Sequence, residues 1–160
     1  MKRLLPLLAL AGTLTPSLSM ARIGETPEQC AVRYGVATEE ERYGNRRLST
    51  YISESVSTTC YYTDGRCTGI QFALWSASRI DPSRAEFSET QIASLLLANA
   101  GGSRWVKIKA DKFETLFQTE NSAIQARLWN GNLYIQTSAD IEQRKALTSP
   151  SVVDKIIANF

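Results

Sequence analysis

The sequence predicts an α+β protein: short helices packed on an antiparallel sheet, in the pattern of two degenerate αβ repeats. Three observations predict this. Capping boxes at Thr26/Gln29 and Ser88/Gln91 each open a stretch with helical apolar spacing. Asp64-Gly65 and Asn130-Gly131 each stand between runs that alternate like strands, the signal for two-residue hairpins. The order helix, short helix, strands before segment 76–87 returns after it as helix, strands, helices.

Residues 1–21 read as a secretory signal peptide. Lys2 and Arg3 give a basic start, residues 4–14 are apolar apart from Pro6, Gly12 and Thr13, and Ser19-Met20-Ala21 suits cleavage after Ala21. The run is far short of the ~20 apolar residues that cross a bilayer, and no later run is long enough. The expected location is therefore secreted or periplasmic, with no transmembrane segment after cleavage. Cleavage removes two bases and no acids, which leaves a neutral mature chain. A neutral chain gives no support for nucleic acid as a partner.

The first unit spans 22–75. Thr26 caps a helix with Pro27 at its first position, and Gly35 suits its end. Pro27, Cys30, Ala31 and Tyr34 share one face, expected to pack on the sheet. Thr38-Glu39-Glu40-Glu41 repeats the capping signature and predicts a short helix closed by Gly44, with the acids on its solvated start. Residues 48–53 and 56–63 read as strands. The turn at Asp64-Gly65 then sets Tyr62 opposite Cys67, Tyr61 opposite Thr68, Cys60 opposite Gly69 and Thr59 opposite Ile70. Ile70, Phe72 and Leu74 form the core face of the second strand. In that register Cys60 and Cys67 lie on the other face.

Residues 76–87 hold Asp81-Pro82-Ser83, break both periodicities and read as a linker. The second unit spans 88–160. Ser88 caps a helix carrying Ile92, Leu95 and Leu96, which Gly101-Gly102 stops. Residues 105–109 alternate as a strand. Asn130-Gly131 places Leu128 opposite Leu133, Ala126 opposite Ile135, Ile124 opposite Thr137, Arg127 opposite Tyr134 and Trp129 opposite Asn132. Every apolar pair then falls on one face, as a hairpin with one buried side requires. Asp140 is expected to cap a helix through Leu147, and Val152, Val153, Ile156 and Ile157 outline a final amphipathic helix.

Three cysteines, Cys30, Cys60 and Cys67, predict one disulfide and one free thiol in an oxidising compartment. The pairing stays open. The hairpin register sets Cys60 and Cys67 on a diagonal of about 7–8 Å, beyond ordinary disulfide reach. A bulge at Gly69 would correct that register, or Cys30 would reach one of the two.

The pattern Ile23-Gly24-x-Thr26-x-x-x-Cys30-x-x-x-Tyr34-Gly35 followed by strands resembles the repeat of the small outer-membrane-assembly lipoproteins. That resemblance implies a helix pair on a three-stranded antiparallel sheet, a fold shared with the beta-lactamase inhibitor proteins. Ala37 stands where that repeat has proline, and no lipid-attachment cysteine is present. Residues 22–35, Asp64-Gly65-Arg66-Cys67 and Leu96-x-x-Asn99-Ala100-Gly101-Gly102-Ser103-x-Trp105 are similar to a family of uncharacterised secreted bacterial proteins. That likeness implies an exported α+β protein and brings no activity with it.

The chain contains no histidine, which removes the common Ser-His and Cys-His nucleophile systems and the usual zinc sites. No phosphate-binding Gly-rich loop with Lys-Ser/Thr occurs. The expectation is a non-enzymatic module with no cofactor, no metal and no catalytic residue, binding another envelope or extracellular protein. Its candidate surface is Arg127, Trp129 and Tyr134. The competing expectation is a small ligand-binding protein or histidine-free hydrolase with a cleft between the two halves. A purely structural role in the envelope is compatible with the same features.

Overall fold

The computed structural model describes residues 22–53, 55–74 and 86–147. The signal peptide, most of the 76–87 linker and the helix expected at 152–157 fall outside the described residues. Eleven elements follow in order: α1 (Pro27–Tyr34), β1 (Glu39–Tyr43), β2 (Arg46–Ile52), β3 (Val56–Thr63), β4 (Arg66–Leu74), α2 (Glu89–Ala98), β5 (Trp105–Ala110), β6 (Glu114–Thr119), β7 (Ile124–Trp129), β8 (Asn132–Thr137) and α3 (Ser138–Leu147).

The eight strands make one antiparallel sheet in the order β1-β2-β3-β4-β8-β7-β6-β5. Strands account for 47% of the described structure and helices for 24%. The α+β expectation is thereby corrected: the described residues form a single large sheet carrying three short helices. The sequence reading understated the sheet at two places. The Thr38–Glu41 capping signature is edge strand β1 rather than a helix start. Glu39 to Tyr43 pair with Thr50 to Arg46 of β2, Glu40 holds the Arg47 guanidinium, and the Thr38 N–H donates to the Thr50 carbonyl at 2.8 Å. A charged, five-residue edge strand resists pairing with a second chain, which gives the glutamates a use on a strand. The second place is β6, which sits between β5 and β7 and is half-buried on both faces.

Both hairpin turns form at the expected dipeptides. Asp64 and Gly65 have φ of 50° and 75°, and Asn130 and Gly131 have 52° and 75°, the left-handed pair that matches strand twist. The second hairpin has the expected register throughout. The first follows it only at Tyr62–Cys67. A bulge between Tyr61 and Tyr62 then sets Tyr61 opposite Gly69, Cys60 opposite Ile70 and Thr59 opposite Gln71. One extra residue on β4 carries Cys67 onto the same face as Ile70 and Phe72, and not the opposite face.

That face is the core. Tyr51, Cys60, Tyr62, Cys67, Ile70, Phe72, Ile124, Ala126, Leu133 and Ile135 are buried there under Cys30 of α1 and Leu95 and Leu96 of α2. Both helices have the expected capping boxes, with Thr26 Oγ1 accepting from Gln29 and Ser88 Oγ from Gln91, each at 3.3 Å. Replacing Ser88 with alanine is expected to cost about 1 kcal/mol, read as a lower urea midpoint at unchanged slope. No change in midpoint would show that Gln91 alone holds the helix start.

The stretch Asn99 to Trp105 serves packing. The Asn99 side chain donates to the Leu95 carbonyl at 3.0 Å and accepts from the Ile23 N–H at 3.1 Å, and the Trp105 indole donates to the Leu96 carbonyl at 2.6 Å. These bonds close the C-terminal end of α2 and tie it to the start of the first unit.

Candidate functional site

With α1 and α2 on the core face, the other face of the sheet carries only α3 among the described helices. It is built from cross-strand rows. One row runs Gln118, Gln125, Gln136, Gly69 and Tyr61; its neighbour runs Leu116, Arg127, Tyr134, Gln71 and Thr59. Such a face, apart from its arginine, is uncharged near its middle. It offers planar amides, hydroxyls and aromatic rings.

The structure brings the three predicted surface residues together on this face. Arg127 and Tyr134 are direct cross-strand partners, and Trp129 lies two residues along from Arg127 on the same side. The Arg127 guanidinium sits 5.1 Å from the Trp129 ring centre, a cation–π contact. Its Nε donates to Glu114 Oε2 at 2.7 Å, and the other oxygen of Glu114 accepts from Lys109 at 2.7 Å. The ammonium of Lys109 holds the Glu114 carboxyl below its ordinary value, with Arg127 adding to this. Trp129 keeps 43% of its surface exposed. Fixing Arg127 between a ring and a carboxylate reduces the side-chain entropy that a partner must remove on binding.

Beside this group lies a recess of about 430 Å³, lined by Ile108, Leu116, Gln125, Trp129, Tyr134 and Gln136, with Ile141 of α3 at its rim. Ile108 lies two residues along from Val106, which pairs with Gln118, so strand alternation puts it on this face. Sequence reasoning missed Ile108, Leu116 and Ile141. Leu116 lies on the unassigned strand β6, and without β6 alongside nothing showed what Ile108 of β5 would meet.

The attachment of α3 is equally unexpected. Asp140 is not the cap: its N–H donates to Thr137 Oγ1 at 3.1 Å, so Thr137 caps the helix. Asp140 is instead buried, with Oδ1 accepting from Thr68 Oγ1 at 3.3 Å and lying 3.7 Å from Arg46, and with Oδ2 2.7 Å from Arg144. Thr68 is the bulged residue of β4, so one irregularity both redirects Cys67 and provides the anchor for α3.

A second recess, about 500 Å³, lies between Arg22-Ile23 and the end of α2 near Asn99, Gly101 and Gly102. Both ends of the Asn99 amide are engaged there by backbone. Among the described residues no group of three or more histidine, cysteine or acidic side chains is arranged to hold a metal ion. No helix among them is long and apolar enough to cross a membrane.

No protein-family model and no curated protein matches the chain. Among solved structures, it is similar to a cysteine-rich secretory protein from Staphylococcus aureus subsp. aureus Mu50. The two share 9% identity with a TM-score of 0.48, over 74% of this chain and 46% of the other. It is also similar to an extracellular protein containing an SCP domain from Bacillus anthracis str. Ames, at 8% identity and a TM-score of 0.44, over 84% of this chain and 51% of the other. The chain therefore spans about half the length of each. At these scores the likeness carries no argument about what this chain does.

Proposed function

We propose that the chain is an exported, non-enzymatic binding module that docks another envelope or extracellular protein on the sheet face centred on Arg127, Trp129 and Tyr134. The observation that carries this reading is the joint placement of those three side chains around an open, partly apolar recess, on the sheet face opposite α1 and α2. Tryptophan, tyrosine and arginine are the residues that most often dominate binding energy at protein interfaces. A pre-fixed arginine beside an exposed indole is the kind of anchor such interfaces use. The signal-like pattern of residues 1–21 supports export, and the lack of histidine supports a role without catalysis.

The test is crosslinking and recovery from the native envelope with the wild-type chain and with a Trp129→Ala/Tyr134→Ala double variant. One stoichiometric protein partner is expected with the wild type. The variant, shown to be folded by circular dichroism, is expected to bind it at least about thirtyfold more weakly, the equivalent of losing about 2 kcal/mol at a dominant contact. A folded variant that retains the partner at full strength would falsify the placement of the surface. A small molecule carried by the native chain in place of a protein would move the reading to ligand binding at the same recess.

A further inference from the structure

The three cysteines, on three different elements, meet in the core. Cys30 and Cys60 are 0% exposed and Cys67 is 1% exposed, and all three belong to the same buried core cluster. No bond joins them as described. The position of each is strongly determined. Cys30 stands in the second turn of α1, with its N–H on the Thr26 carbonyl at 3.0 Å. Cys67 is held by its backbone, its N–H donating to Glu25 and its carbonyl accepting from Gly24, both at 2.8 Å. Cys60 is in the β3 ladder opposite Ile70.

We propose that Cys30, Cys60 and Cys67 form one redox centre, in which a single disulfide always includes Cys30 and exchanges its partner between Cys60 and Cys67. This inference is independent of the binding face. Two geometric arguments choose Cys30 as the shared sulfur. First, Cys60 and Cys67 occupy neighbouring strands but not opposed positions, since Cys60 faces Ile70 and Cys67 faces Tyr62. Such diagonal backbones lie about 7–8 Å apart, outside the usual span of a disulfide. Second, Cys30 comes from a separate layer above both, so its sulfur can turn to either without disturbing the ladder.

The surroundings also make Cys30 the reactive sulfur of the reduced form. Hydrogen bonds from the Cys60 thiol, then the Cys67 thiol and the Tyr62 hydroxyl, hold the Cys30 thiol well below its ordinary value, with Arg33 adding a smaller effect. The same contacts with Cys30 push Cys60 and Cys67 up. The nearby Glu25 carboxylate, 3.9 Å from Cys30, does not oppose this strongly because Arg33 Nε donates to it at 2.9 Å.

The chemistry balances without a metal. An external disulfide such as oxidised glutathione takes two electrons and two protons from Cys30 and one partner, and leaves as two molecules of glutathione. In the exchange the Cys67 thiol gives up its proton and its sulfur attacks Cys30. The new Cys30–Cys67 bond forms as Cys30–Cys60 breaks, and Cys60 departs with the electron pair and takes up the proton. The total number of disulfides and thiols is unchanged.

Trypsin separates the three positions, because cleavage after Arg33, Arg47 and Arg66 leaves each cysteine in its own peptide. The full chain is refolded in a reduced and oxidised glutathione mixture, quenched with acid, blocked with N-ethylmaleimide and mapped without reduction. Both Cys30–Cys60 and Cys30–Cys67 peptides are expected, with one blocked thiol per chain. Cys60→Ser and Cys67→Ser are each expected to keep a disulfide, and Cys30→Ser to show two blocked thiols. A dominant Cys60–Cys67 linkage, one fixed linkage with none of its alternative, or three blocked thiols would each overturn the proposal. The wild-type map decides the matter even if a serine variant fails to fold.

Discussion

Replacing Leu133 with alanine is expected to lower the stability of the folded chain by about 2–5 kcal/mol, the range for emptying a well-packed core site. Leu133 is 0% exposed and stands on β8 at the seam of the sheet. Its cross-strand neighbours are Phe72 of β4 on one side and Leu128 of β7 on the other. The first half of the chain meets the second through this β4–β8 pairing, so the cavity opens where neither half can close it alone. Urea unfolding followed by tryptophan fluorescence and by far-ultraviolet circular dichroism checks this. In a Trp75→Phe background the remaining Trp105 and Trp129 both report the second half, whereas the dichroism reports all strands. The two signals are expected to shift together, because a continuous sheet over one core unfolds as a unit. A loss below about 1 kcal/mol, or a shift in fluorescence alone, would mean that the seam contributes little and the halves unfold separately.

What was legible in the sequence was what neighbouring residues decide among themselves. The α1 and α2 boxes and the Asn130-Gly131 hairpin each rest on residues within a few positions of one another. For the hairpin, turn chemistry and apolar alternation gave the same register. Arg127, Trp129 and Tyr134 could be placed on one face for that reason alone. What was not legible depends on distant pairing. The residues Thr38 to Glu41 satisfy a helix cap and a charged edge strand equally well, and only the presence of β2 alongside decides between them. The bulge at Thr68 is one residue long with no local mark, yet it turns Cys67 over. The convergence of three cysteines therefore could not be read from a hairpin drawn in regular register. Ile108 and Ile141 joined the recess for similar reasons, one through pairing with β6, which the sequence did not mark, and the other through a helix whose anchor is buried.

These corrections share a physical origin. The core face is fixed by apolar burial, which is strong and shows in the sequence as alternation. The opposite face is fixed by side chains of mixed character, whose arrangement follows from register and from α3. A site on that face is therefore shaped by features with weak sequence signals even when its central residues are identified correctly.

The anchor of α3 provides the second large expected effect. Asp140→Ala should destabilise the protein by about 1.5–3 kcal/mol. Breaking a buried ion pair costs more than this in general, but the Arg46 and Arg144 side chains retain 30% and 37% of their exposure, and water recovers part of the loss. The Asp140 side chain itself is 2% exposed, so its removal leaves the Thr68 hydroxyl without that acceptor and both guanidinium groups without this carboxylate. Arg144 also lies 5.4 Å from the Tyr61 ring, so α3 is expected to loosen from the sheet rather than detach. Amide exchange should quicken along α3 while the Ile124–Thr137 hairpin stays protected. An Arg144→Met partner variant, combined in a double-mutant cycle, should show coupling of about 0.5–3 kcal/mol. Because Ile141 stands on this helix at the rim of the recess, Asp140→Ala is also expected to weaken capture of the partner without touching Arg127, Trp129 or Tyr134. A stable, unaltered α3 in the variant would show that helix packing on β8, and not the buried carboxylate, shapes that side of the site.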